Sequence, residues 1–323
     1  MIPFEPLFRN PHLQTIAGHL WFRRGEERRY PLRPRLHRTE PDVEVLVQSQ
    51  QPKSPPVGEI IMVHGLEGSG DAGYVRSLSG AALRAGFAAH RFHMRTCGGT
   101  EHLCHTLYHA GLTSDLLAVL RELQREGRGP AFLVGFSLGG NVVLKLAGEM
   151  ADAARPLIRG VCAVSSPLDL AACARRIAER DNRLYERRFI RRMRSRLCAT
   201  GRYRDIDFAG LGSVMEIDDK ITAPSFGFGN AAHYYSTQSA MRYLDGIQVP
   251  TLLIHAQDDT LVPFSSVAPF TRGASSGAHG IPRIELVAPQ HGGHLGFIGR
   301  RPHRFWADEI IMDWIVRQNP VSA

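Results

Sequence analysis

Hydrophobic positions along this chain follow two alternating rhythms. Short apolar runs at about 43–47, 59–63, 86–92, 131–135, 160–165, 251–256 and 283–288, each bounded by polar or glycine-rich residues, predict strands. Between several of them the period lengthens to that of a helix. Thr113–Leu123 puts Leu116, Leu117, Leu120 and Leu123 on one face, and Trp306–Val316 is a further amphipathic helix. Strands that alternate with helices predict the α/β class, a mostly parallel sheet covered by helices on both faces. Gln48–Pro56 is polar and proline-rich but too short for a domain linker, and reads as a loop between two early strands.

One interval breaks the rhythm. About eighty residues separate the strand at 160–165 from the strand at 251–256, too many for a bare loop. The expected organisation is a single domain with its core over about 40–168 and 246–323, an insertion over about 169–245 and an N-terminal extension over 1–39. Within the insertion, residues 171–204 hold twelve arginines against Glu179, Asp181 and Glu186, a net +9 beside the +8 of the whole chain. Phe189, Ile190, Met193 and Leu197 recur there at helical spacing, so the segment predicts a helix with one apolar and one basic face. Two fates are open to that basic face: solvation or pairing with carboxylates, or attraction to an anionic lipid surface or an acidic acyl carrier. Nucleic acid is not expected, since no recognition motif or interleaved aromatic series accompanies the arginines.

Composition adds bounds. A hydrophobic fraction of 43% and a charged fraction of 22% over 323 residues fit an ordinary globular protein. No apolar run approaches the ~20 residues of a membrane span, and Met1–Pro6 lacks the features of a signal peptide. Five cysteines at 97, 104, 162, 173 and 198 show no pairing pattern, so the expectation is free thiols in a cytoplasmic protein. Cys97, His102, Cys104, His105 and His109 crowd thirteen residues without a familiar zinc spacing. They read as a loop lining a pocket, and no metal is expected.

The chemistry concentrates at Gly135-Phe136-Ser137-Leu138-Gly139, between a predicted strand and a predicted helix. A serine on so sharp a turn projects its hydroxyl outward while crowding its neighbours, and flanking glycines relieve the crowding. A weak hydroxyl nucleophile needs a base, and the base needs an orienting group. Downstream, one predicted strand ends at Asp258-Asp259, and another is followed by Gln290-His291-Gly-Gly-His294. Acid and histidine both lie just past strand ends, where an open α/β sheet forms its crevice. The amide of Leu138 is one candidate oxyanion donor, and Leu66, in the loop after the strand at 59–63, is the second. The glycines of that loop do not fit a nucleotide site: Asp71 and Ala72 stand where a phosphate-binding loop needs Lys and Ser or Thr, and Gly65, Gly68 and Gly70 miss the dinucleotide spacing.

Asn10–Thr15, His64–Ser69, Gly135–Asn141, Tyr234-Tyr235, His255–Asp259 and Gly292–Phe297 together resemble the YheT-like, ABHD-type esterases of the α/β-hydrolase superfamily, over nearly the whole chain. The resemblance implies Ser137 as nucleophile, His294 rather than His291 as base, and Asp259 rather than Asp258 as acid. It also implies a cap role for the insertion and a soluble or lipid-derived ester, such as an acylglycerol, as substrate. Thr96 departs from the family, which usually has glycine there. The expectation is a serine ester hydrolase without cofactor. The same three residues would equally serve an acyltransferase or thioesterase, and the fold alone would serve a binding protein.

Overall fold

The computed structural model describes residues 2–21, 25–272 and 284–319, and its strands form one eight-stranded sheet. They are β1 (Arg33–Glu40), β2 (Val43–Gln50), β3 (Glu59–Val63), β4 (Ala88–Phe92), β5 (Ala131–Phe136), β6 (Ile158–Val164), β7 (Thr251–Ile254) and β8 (Ile284–Val287). Their spatial order is β1-β2-β4-β3-β5-β6-β7-β8, antiparallel at β1/β2 and β2/β4 and parallel elsewhere. Each apolar run of the sequence is a strand, Arg283 of the last run lying outside the described residues.

The helices are α1 (Pro11–Leu20), α2 (Gly73–Arg84), α3 (Ser114–Arg125), α4 (Leu138–Met150), α5 (Leu170–Ile177), α6 (Arg183–Ala199), α7 (Val214–Ile217), α8 (Ala223–Ser225), α9 (Ala231–Gln238) and α10 (Trp306–Gln318). Strand side chains alternate between two cores. Ile61 and Val63 face Leu116, Leu120, Val143 and Leu146 of α3 and α4. Ile60 and Met62 face Val75 and Leu78 of α2 and Ile311 and Trp314 of α10. The order in which strands are added reverses about β3, which has β4 on one side and β5 on the other, so a crevice opens beyond the carboxyl ends of β3 and β5.

β1 was not expected, and the sheet therefore begins within the segment predicted as an extension. Its sequence gives no apolar alternation: only His37 is buried, and Leu36 is exposed. Polar contacts to α3 hold it instead. His37 Nδ1 meets Glu122 Oε2 at 2.6 Å, Arg35 pairs with Glu122 and Glu126, and Thr39 donates to Asp115. Charged, proline-bearing edges of this kind discourage pairing with other chains.

Residues between β6 and β7 are helical, from α5 to α9, with a π-helical turn at Asp218–Thr222 between α7 and α8. Met193, Leu197, Phe208, Ile217 and Ile221 form their own apolar cluster, which closes over Leu107, Leu261 and Val262 at the carboxyl edge of the sheet. Among the described residues no helix is long and apolar enough to cross a membrane, and all five cysteines are unbridged.

Candidate active site

Ser137 caps α4 directly after β5, at φ 51° and ψ −121°. That conformation strains a residue with a side chain and aims its hydroxyl into the crevice. The two glycines are required by close approach. A Cβ on Gly135 would lie 2.3 Å from the Gly139 carbonyl oxygen, and one on Gly139 would lie 2.4 Å from that of Val63. The serine turn is thus pressed against the end of β3, with no room for side chains.

His294 Nε2 lies 3.0 Å from Ser137 Oγ, and its Nδ1 lies 3.1 Å from both Asp259 oxygens. Asp259 Oδ1 also accepts from the amides of Leu261 and Val262 at 2.9 Å each. Burial pushes its carboxyl up, but His294, His255 and the Val262 amide outweigh burial and hold it below the usual range. His255, buried beneath it, is held down by burial and points Nε2 at the Val262 carbonyl. Asp258 faces away: its Oδ1 accepts from the Gly293 amide at 2.9 Å and its Oδ2 meets His291 Nδ1 at 3.1 Å. Of the two candidate pairs the structure brings Asp259 and His294 to Ser137, while Asp258 and His291 brace the histidine loop from outside.

The loop has a second support that the sequence reading did not assign. Asn10 caps α1 by accepting from the amides of His12 and Leu13, and Pro11 follows in the first helical position. The helix so started delivers Gln14 and Thr15. Gln14 donates to the carbonyls of Gly296 and Ile298, and Thr15 Oγ1 accepts from the His294 amide at 2.9 Å while donating to Pro11. The Asn10–Thr15 motif was visible, but nothing in its residue types pointed 280 positions ahead.

Leu66 follows β3 and Leu138 opens α4. Among the described residues neither amide donates to another protein group, the Leu138 amide being one of the free donors of a helix start. Next to Leu66, buried Glu67 takes a left-handed conformation at φ 54° and pairs with Arg196 Nε at 2.9 and 3.0 Å. Arg196 is an inward-turned member of the arginine-rich helix α6. Its Nη1 donates to Thr96 Oγ1 at 2.8 Å, and its guanidinium lies 4.7 Å above the Tyr108 ring. Burial opposes the charge, yet Glu67 and its neighbours hold the guanidinium's proton more tightly than usual. Thr96 itself sits at φ 59°, a strained setting for a β-branched residue. The departure from glycine therefore has a partner: the threonine hydroxyl receives Arg196.

Two cavities meet at Ser137 and His294, pinched by Leu66, Phe189 and Leu261. The inner one runs under the insertion and is mostly apolar, with Leu170, Ile177, Met193 and Val214 along it and Arg196, Asp218 and Tyr235 among its polar members. Tyr235 Oη donates to Asp218 at 2.7 Å, and burial raises the Asp218 carboxyl to about 6 against that bond. The outer cavity, about 490 Å³, opens between α1 and α6 past Ile16, Arg188 and Arg192. His109 lines the inner cavity among Phe226, Phe228 and Tyr234, held down at about 3 by burial. Cys97 and Cys104 are buried, and no three His, Cys, Asp or Glu side chains among the described residues group as a metal site.

The model of the alpha/beta hydrolase family matches residues 60–308. The chain belongs to the alpha/beta hydrolase family. This α/β-hydrolase falls among the YheT-like, ABHD-type esterases. YheT of Escherichia coli (strain K12), an esterase by assignment, is 35% identical over 320 residues, which cover 95% of this chain and 91% of YheT. A monoacylglycerol lipase of Saccharomyces cerevisiae is 29% identical over 264 residues, 77% of the hydrolase but only 57% of the lipase. The hydrolase also shares its fold with an esterase of Pyrococcus furiosus, at a TM-score of 0.62 and 19% identity over 98% of each chain.

Proposed function

We propose that the protein hydrolyses carboxylic esters through an acyl-enzyme, with Ser137 as nucleophile, His294 as base and Asp259 as orienting acid. The observation that carries this reading is the unbroken contact series Ser137 Oγ–His294–Asp259 at 3.0 and 3.1 Å, standing where two cavities meet. His294 Nε2 takes the hydroxyl proton as Ser137 Oγ attacks the acyl carbonyl. The resulting oxyanion rests on the amides of Leu66 and Leu138. Asp259 fixes the tautomer that leaves Nε2 free and stabilises the imidazolium. That imidazolium then protonates the leaving alcohol. Water enters, gives a proton to His294 and its oxygen to the acyl carbon, and the acid leaves as Ser137 recovers its proton.

The apolar inner cavity suits the acyl chain and the wider outer cavity suits the alcohol. The helical insertion then acts as a cap over the acyl side. A single-chain, lipid-like ester such as a monoacylglycerol fits this division, in keeping with the name of the yeast relative. The test is Ser137→Ala. Turnover of p-nitrophenyl esters and of monoacylglycerols should fall by about 10⁴–10⁶ in kcat, and fluorophosphonate labelling should vanish with the melting temperature kept. Near-normal turnover by that variant would overturn the assignment.

A further inference from the structure

The arginine face of α6 is not absorbed by the site. Arg176 pairs with Glu179 and Asp181, Arg194 with Asp205 and Arg196 with Glu67. Arg187, Arg188, Arg191 and Arg192 are exposed, and among the described residues none of them pairs with a carboxylate. They press on one another instead. Burial and the charges of Arg192 and Arg191 loosen the proton of Arg188, and burial with Arg188 and Arg192 holds His19 below its ordinary value. Four like charges kept together without a paired carboxylate make a local positive potential that attracts anionic groups from outside the chain.

A second observation lies beside them. α1 runs next to α6, joined by the stacked rings of His12 and Tyr185 at 5.8 Å and by Arg188 Nη2 donating to His19 Nε2 at 2.6 Å. Leu13, Ile16 and Leu20, at i, i+3 and i+7 of α1, point outward at 51, 43 and 72% exposure, and Leu184 at the start of α6 is 78% exposed. Between these two helices opens the outer cavity that reaches Ser137. Guanidinium groups that bind phosphate or carboxylate, interleaved with leucines that enter an acyl layer, are the makings of an interfacial surface.

We propose that the α1–α6 rim seats the protein on an anionic lipid bilayer, with the mouth of the outer cavity facing the lipid. Leu13 and Leu184 protrude singly and line no cavity, while Ile16 and Leu20 edge the mouth of the outer one, so a fluid surface receives them without the matching shape that a protein partner would need. Only the purpose of the seating, delivery of a membrane-resident ester to Ser137, rests on the proposed function. At roughly the contribution of one juxtamembrane arginine each, the four supply about a thousandfold in partitioning.

The experiment sediments the full chain with phosphatidylcholine vesicles, with and without about a third phosphatidylglycerol, at low salt and above ~0.15 M, where the Debye length falls to ~8 Å. Expected is binding to the anionic vesicles only, weakened by salt. Arg187→Ser with Arg191→Ser should lower it by about 30-fold. Leu13→Ser with Leu184→Ser should lower it at either salt concentration. Neither pair lines the cavity, so turnover of a small soluble ester should be unchanged in both. No binding at low salt, or binding indifferent to both pairs, overturns the proposal, as does retention on an acidic protein matrix without vesicle binding. Ser137→Ala should bind vesicles like the parent. If it binds but keeps its turnover, the nucleophile assignment falls and the rim stands. If vesicles are not bound while turnover depends on Ser137, the rim falls alone.

Discussion

Replacing Arg196 by methionine removes the charge that holds Glu67 while keeping most of the side-chain length. Glu67 is 5% exposed, and among the described residues its carboxylate receives, apart from Arg196, only the Tyr108 hydroxyl at 3.1 Å. Thr96 Oγ1 loses its donor in the same step. Removing one partner of a buried ion pair costs about 3–5 kcal/mol, because the other charge stays buried and uncompensated. With an unfolding entropy of ~2.1 cal/mol/K per residue, a chain of 323 residues loses about 1.5 °C for each kcal/mol, so the melting temperature should fall by about 4–7 °C. Adding Glu67→Gln removes the stranded charge and leaves an amide that still accepts from Tyr108, so the double variant should regain most of the loss. Activity adds a second readout, since Leu66 sits on the same turn. Displacing its amide would weaken the contact proposed for the oxyanion, so kcat for p-nitrophenyl butyrate should fall by roughly 10–100-fold with a smaller change in KM. Thermal unfolding and steady-state kinetics on the two single variants and the double variant complete a cycle. A single variant within about 1 kcal/mol of the parent, or a double variant less stable than Arg196→Met, would refute the reasoning.

Two further outcomes follow from neighbouring groups. Asp259→Asn should lower kcat by about 10⁴ by allowing the wrong tautomer of His294, whereas Asp258→Asn, which still accepts from Gly293, should stay within about tenfold; kinetics showing a severe loss only at 258 would reverse the assignment. Asp218 holds its proton up to about 6 in the fold against an ordinary 3.8, so the native state binds that proton more tightly and stability is lost as pH rises from about 4 to 6. Asp218→Asn lacks that loss, and its melting temperature relative to the parent should climb over this interval; a difference that is flat with pH would contradict the buried carboxyl.

Sequence legibility followed the hydrophobic effect. Strands such as Glu59–Val63 and Ala131–Phe136 are buried along their whole length, and an apolar run announces them. β1 is held by His37, Arg35 and Thr39 to carboxylates of α3, and polar contacts leave no rhythm to read. In the site, Ser137 was legible because its turn demands glycines at fixed offsets. The preference for Asp259 over Asp258 came from the family resemblance and not from the residue types, since adjacent residues leave a strand end in different directions and only the folded geometry says which meets the histidine. Arg196 was hidden among twelve arginines of its segment: its inward turn depends on where Glu67 and Thr96 lie, and neither is near it in sequence. Gln14 and Thr15 were hidden for the same reason.

The placing of α1 beneath the histidine loop also has a consequence in time. Gln14 and its acceptor Gly296 are separated by 282 positions. At a translation rate of about 5–20 residues per second, roughly 15–55 s pass between the making of that helix and the making of the loop it supports. Throughout that interval β3, β5 and the serine turn can assemble, because their partners lie close in the chain. The histidine cannot be set against them until the loop itself has left the ribosome. A nascent chain thus acquires β3 to β6 early, and under the proposed mechanism Ser137 meets its base only once 157 further positions have been added.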